Sequence, residues 1–156
     1  MKMEGIAICM GPDIDTDQII AGRYLRTKDR RIWADHVFED LSPHIASRLE
    51  GTVIIAGKNF GCGSSREQAA VALKEAGVRG VIAPNFARIF FRNAINIGLP
   101  LAECRCPCVE GQIVRADLNR GIVEVNGEEH RIRPLSPRMI AILESGGLVN
   151  YWRARQ

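Results

Sequence analysis

With 156 residues, 46% hydrophobic and 25% charged, the chain is long enough for one well-buried core and too short for two ordinary domains. The net charge of +3 is small and its basic residues are scattered rather than grouped with aromatics, which argues against nucleic acid. No run approaches the roughly 20 apolar residues that span a bilayer, and Met1–Cys9 carries neither a secretory h-region nor a cleavage site, so a cytoplasmic protein without a membrane partner is expected.

Met3–Met10 reads as a strand in which Cys9 behaves as a small hydrophobe. Gly11–Gln18 is an acidic, turn-rich loop where Asp13, Asp15 and Asp17 alternate. Three such carboxylates suggest a divalent cation, but the further ligands and the glutamate of a calcium loop are missing, and turn formation is the expected role of Asp13 and Asp15. Ile19–Leu25 is expected to be extended. The charge run Lys28-Asp29-Arg30-Arg31 has the character of a solvated turn, followed by helical patterns over Arg31–Asp40 and Ser42–Leu49.

Thr52–Gly57 is an apolar run typical of a buried strand, and Gln68–Gly77 carries Ala69, Ala70, Leu73 and Gly77 at helical spacing. Between them lies Gly61-Cys62-Gly63-Ser64-Ser65-Arg66-Glu67, two hydroxyls and a cation where strand gives way to helix. Unpaired N–H groups and the positive end of the helix dipole point there at any arriving anion. Gly61 and Gly63 permit close approach of the backbone, and the Arg66 fork suits a carboxylate or phosphate. The same residues fit an S-x-x-E capping box in which Ser64 caps the helix, and the motif alone favours that cap. The two roles are compatible. A helix N-terminus and Arg66 beside Cys62 predict a lowered thiol pKa and easy modification.

Val78–Ala83 reads as the next strand, and Asn85 as the N-cap of a helix running to Asn96. Arg88 and Arg92 share a face of that helix, where solvent or a subunit contact is expected rather than substrate. Leu99–Cys104 returns as a strand. Cys104, Cys106 and Cys108 alternate at its end, a spacing less suited to a metal than C-x-x-C, and an odd count of five cysteines argues against a disulfide framework. Gln112–Ala116, Gly121–Val125 and Glu129–Arg133 read as short strands, with Asn126-Gly127 as a hairpin turn. Ser136 caps a final helix to Glu144, stopped by Gly146-Gly147, and Arg153 and Arg155 are expected to be solvated. His36, His44 and His130 are not spaced as a ligand set.

Three stretches carry a resemblance: Asp13-Ile-Asp-Thr-Asp-Gln-Ile-Ile20, Gly61-Cys-Gly-Ser-Ser-Arg-Glu-Gln68 and Phe86-Ala-Arg-Ile-Phe-Phe-Arg-Asn-Ala-Ile-Asn-Ile-Gly-Leu-Pro100. Together they resemble the small subunit of the isopropylmalate dehydratase and homoaconitase group within the aconitase family. The resemblance implies an α/β fold, the swivelling β/β/α barrel of the aconitase C-terminal domain type, as one domain over residues 1–156. It also implies a hydro-lyase of leucine synthesis that isomerises a di- or tricarboxylic hydroxy acid by removing and re-adding water. Ser64 is then the base, as its alkoxide, and Arg66, Ser65, Gly63 and Cys62 form the substrate loop. Asp17, with Thr16 beside it, supports Arg66. The loop holding Arg26 and Thr27 reads the variable substituent of the substrate; an apolar residue would suit isopropyl, whereas Arg26 suits a carboxylate tail, as in a homoaconitase or an enzyme accepting both. The Lewis acid implied is a [4Fe–4S] cluster. This chain lacks cysteines to hold one, so no cofactor is expected in it, and the cluster belongs to a large subunit joined in a heterodimer or heterotetramer, without which the chain is inactive. In a different class stands a non-catalytic anion-binding module, where Ser64 only caps a helix.

Overall fold

The computed structural model describes residues 1–156. Four parallel strands, β1 (Lys2–Cys9), β2 (Thr52–Ile55), β3 (Gly80–Ala83) and β4 (Leu101–Glu103), continue through β1 into a meander of β5 (Ile113–Asp117), β6 (Ile122–Val125) and β7 (Glu128–Arg131). The seven-stranded sheet has the order β4-β3-β2-β1-β5-β6-β7. Its edges curl toward each other. Just past β7, the Arg133 N–H donates to the Glu103 carbonyl at 3.0 Å, and the two side chains form an ion pair at 3.5 Å.

Sequence pattern explains the two halves. β2 and β3 are apolar at nearly every position and buried throughout, as parallel strands covered on both faces must be. Ile54, Val81 and Leu101 face one core, shared with α1 (Thr16–Ile19), α2 (Arg30–Asp35) and α3 (Glu67–Glu75). Val53, Ile55, Ile82 and Ala102 face the other, shared with α5 (Pro137–Glu144). α4 (Arg88–Asn96) touches both, through Phe90 and Ala94 in the first and Ile95 in the second. In β5 and β6, burial alternates, and Val114, Ala116, Val123 and Val125 join the second core only.

Turn chemistry sets several boundaries as expected. Asn126 and Gly127 both have positive φ, +50° and +79°, the requirement of the tight hairpin between β6 and β7. Ser136 accepts from the Met139 N–H and Pro137 opens α5. α3 ends where Gly77, at φ +90°, donates to Lys74 and Val78 donates to Leu73.

Other expectations are corrected. Ile19–Leu25 is not extended: Asp15 and Gln18 form a reciprocal capping box on α1, and Gly22–Tyr24 make a 3-10 turn. The pattern over Arg31–Asp40 forms a helix only to Asp35, and Ser42–Leu49 yields only the 3-10 turn Ala46–Arg48. Asn85 does not cap α4; its side chain accepts from the Asn59 N–H, and Ala87 stands at the cap position with no side-chain bond. The helix ending at Glu144 is not the last, since α6 (Leu148–Arg153) follows Gly147.

The cysteines also depart from expectation. Cys9 forms a disulfide with Cys108, 99 residues away, with a Cα–Cα distance of 5.8 Å. β4 stops at Glu103, and the chain crosses back to β1, where Gly111 donates to Ala7 and Ala7 to Gln112. That return brings Cys108 to Cys9. Cys62, Cys104 and Cys106 remain thiols, and burial pushes Cys106 up to about 12.

Candidate functional site

The loops that follow β1, β2 and β3 meet at the carboxyl ends of three adjacent parallel strands, the general place for a ligand crevice in such sheets. The segment Phe60–Ser64 is held from both sides. On one, Gly61 donates to Ile14 at 2.7 Å, Thr16 N–H donates to Cys62 at 2.9 Å, and the buried Thr16 hydroxyl donates to the Ser64 carbonyl at 2.7 Å. On the other, Phe60 donates to Asn85 and Ala87 donates to Phe60. Gly61, at φ +84°, lies flat against the Phe90 side chain, so that a Cβ there would stand 2.5 Å from the Cβ of Phe90. Phe90 is itself locked edge-on against Phe60, ring centres 5.3 Å apart.

This clamp opens a cavity of about 660 Å³ lined by Thr16, Gly63, Ser64, Ser65 and Arg66 on one wall and by Arg88, Ile89, Arg92 and Asn93 of α4 on the other. Among the lining residues are three arginines and no acid. α3 begins at Glu67, with Arg66 at the cap position and no side-chain cap bond. The S-x-x-E box therefore does not form. Ser64 and Ser65 lie in the bend before the helix, exposed, with hydroxyls that make no hydrogen bond within the chain. Both are available to a ligand.

Arg66 is held in place. Its Nη2 meets Asp17 Oδ1 at 2.8 Å, the other guanidinium nitrogen lies 3.5 Å from the Ile20 carbonyl, and its side chain is 21% exposed. A side chain at Gly22 would crowd the guanidinium, which comes within 3.4 Å of where that Cβ would stand. Asp17 thus neutralises part of the charge and fixes its direction from outside the cavity.

The structure brings Ser64, Ser65, Gly63, Arg66 and Thr16 together and attaches Asp17 through Arg66. Cys62 lies behind the loop, bridged to Asp15. Its thiol is pushed up, first by burial and then by the Asp15 and Asp13 carboxylates, which reverses the lowered pKa expected from the helix end. Arg26 and Thr27 do not line the cavity. Arg26 is exposed, and Thr27 accepts from the Asp29 N–H that opens α2. Arg88 and Arg92, expected at solvent or a subunit contact, form the cavity's second wall. Their i,i+4 spacing signalled a shared face; what that face looks onto depends on Phe90 seating α4 against Gly61.

A curled sheet with an arginine-lined cavity and two unengaged serine hydroxyls at the ends of its parallel strands defines an α/β domain whose crevice suits an anion. Residues 13–103 match the aconitase C-terminal domain, and the chain belongs to that family. It is 52% identical to the methanogen homoaconitase small subunit of Methanothermobacter thermautotrophicus, over 91% of this chain and 85% of that one. It is also 52% identical to 3-isopropylmalate dehydratase small subunit 1 of Methanopyrus kandleri, over 94% and 90%. A solved structure of 3-isopropylmalate dehydratase from Methanocaldococcus jannaschii superposes with a TM-score of 0.93 at 42% identity, covering 99% of this chain and 95% of that one. No helix is long and apolar enough to cross a membrane.

Proposed function

We propose that the chain is the small subunit of a two-part hydro-lyase of the 3-isopropylmalate dehydratase type, acting in leucine synthesis. The observation that carries this is the pairing of an unengaged Ser64 hydroxyl with a positioned Arg66 in one cavity free of acidic groups. Relatives named as dehydratase small subunits support the class of reaction and imply a large-subunit partner. One sheet running through both halves supports a single domain over residues 1–156.

Arg66 and the N–H groups around Gly63 and Ser65 hold a substrate carboxylate. Ser64, as its alkoxide, takes the proton from the carbon beside that carboxylate; the electron pair left behind forms the carbon–carbon double bond as the hydroxyl departs. In rehydration, the Ser64 hydroxyl returns a proton to carbon. The arginine-lined wall and the open first turn of α3 stabilise the alkoxide and the charge that builds on the carboxylate. Asp17 keeps Arg66 aimed.

This chain's own side chains do not fit an iron–sulfur cluster: no three His, Cys, Asp or Glu converge as metal ligands, and Cys9 and Cys108 are joined. The [4Fe–4S] cluster that would accept the leaving hydroxyl is assigned to the large subunit, and the site is complete only at the interface between subunits, in a heterodimer or heterotetramer. Cys62, Cys104 and Cys106 are thiols, as a cytoplasmic setting favours, whereas the Cys9–Cys108 disulfide is the exception to that setting.

A second reading, homoaconitase, rests on the residue type at Arg26, whose exposed side chain lies outside the cavity lining and engages no partner within the chain. Both are tested by assembling the chain anaerobically with its cluster-loaded large subunit and measuring hydration of isopropylmaleate and of cis-homoaconitate, for wild type and Arg26→Val. The expected result is preference for isopropylmaleate, unchanged by the substitution, and no turnover by the chain alone. Preference for cis-homoaconitate that collapses in the variant would establish the second reading. Hydration by the isolated, iron-free chain would overturn the two-part reading.

A further inference from the structure

Arg88 and Arg92 stand four residues apart on one face of α4, both line the Ser64 cavity, and neither guanidinium is hydrogen-bonded or ion-paired within the chain. Each circumstance is unfavourable by itself. Like charges at this spacing repel, and a cation in the first turn opposes the positive end of the helix dipole. α4 has no acidic residue in that turn and no side-chain cap to relieve it. Arg66, by contrast, has Asp17 at 2.8 Å. A carboxylate seated between Arg88 and Arg92 would reverse all these penalties at once, and the cavity, with about 660 Å³ and no lining acid, has room for an anion that spans it.

We propose that Arg88 and Arg92 form a second carboxylate subsite. Arg66 and the Ser64 loop hold the carboxylate beside the reacting carbon, and α4 holds the other carboxylate of a dicarboxylic substrate across the same cavity. This second contact adds binding energy that is present in the ground and transition states alike. This rests on the hydro-lyase reading of Ser64 and extends it to the recognition of the whole substrate.

The test uses the assembled complex with isopropylmalate as substrate and compares wild type with Arg88→Gln, Arg92→Gln, Arg92→Lys and Ser64→Ala. Loss of a charge-assisted contact made equally in ground and transition states raises KM about 10- to 100-fold in both Gln variants, with kcat little changed. The Lys variant, which keeps the charge, recovers part of the loss, and the affinity between the subunits, measured by titration, is unchanged. A KM unmoved in both Gln variants would overturn the subsite, as would weakened subunit assembly with normal KM, which would make this face a dock for acidic groups of the large subunit. Ser64→Ala separates this failure from that of the underlying reading: normal turnover in Ser64→Ala sinks the base, whatever the arginines do. A readout that needs no turnover is titration of the full chain with succinate and with acetate, followed by arginine side-chain NMR. Succinate is expected to bind more tightly than acetate, an advantage lost in Arg92→Gln; equal binding of the two would contradict the subsite.

Discussion

The two walls of the cavity carry the same kind of side chain in opposite states. Arg66 is largely covered, bonded to Asp17 and fixed beside Ile20 and Gly22. Arg88 and Arg92 are exposed and unpaired, and the field at the start of their helix opposes Arg88. A cation paid for in advance by its own acid is preorganised and needs no ligand to hold it; a pair left in mutual repulsion is completed by one. The difference separates the group proposed to aim the reacting carboxylate from those proposed to hold the rest of the substrate.

Substitution of Gly61 by Ala is expected to have the largest effect, because the two walls touch there. The new methyl group meets the Phe90 side chain at a residue with φ +84°, so a loss of about 2–5 kcal/mol is expected in chemical denaturation, together with loss of turnover. A variant of wild-type stability would mean that Phe90 does not seat α4. At the far side of the comparison, Cys108→Ser opens a disulfide spanning 99 residues and should lower stability by about 2–4 kcal/mol. KM of the assembled enzyme should not move; a shift would show that the disulfide shapes the cavity as well.

Asp17→Asn makes Arg66 resemble the α4 arginines. The ion pair is partly exposed, so stability should change by less than about 1 kcal/mol, while kcat/KM should fall about tenfold as the guanidinium loses its direction. An unchanged kcat/KM would remove the distinction between the walls. The smallest effect is expected at Cys62. Burial and two neighbouring carboxylates raise its pKa, so the protonated thiol dominates at neutral pH, and alkylation by iodoacetamide should be slower than for an ordinary cysteine, accelerating only as pH rises beyond the usual thiol range. Rapid labelling at neutral pH, read by mass spectrometry, would contradict that environment.

Features encoded by neighbours in sequence were legible before the fold was known. The apolar run at β2, the alternation in β5 and β6, the Asn126-Gly127 turn and the Ser136 cap each depend on a few adjacent residues. The Ser64–Arg66 motif was legible for the same reason. Its apparent capping box misled, because Thr16 draws the Ser64 carbonyl into the loop and the helix starts only at Glu67. Contacts between distant segments were hidden: Gly61 against Phe90, Gly22 beside Arg66, and Cys9 bonded to Cys108. The role of Arg88 and Arg92 belongs with these, since helical spacing says which residues share a face and leaves open what the face meets.

The central claim is that Ser64 works as the base in this cavity, and Ser64→Ala in the assembled, cluster-loaded complex tests it most directly. Because the Ser64 hydroxyl caps nothing, the account predicts a fall in kcat of about 10²–10⁴-fold, with stability, subunit affinity and substrate binding nearly unchanged. Retained turnover, or a loss explained by about 1 kcal/mol of reduced stability, would contradict it and return Ser64 to a structural role.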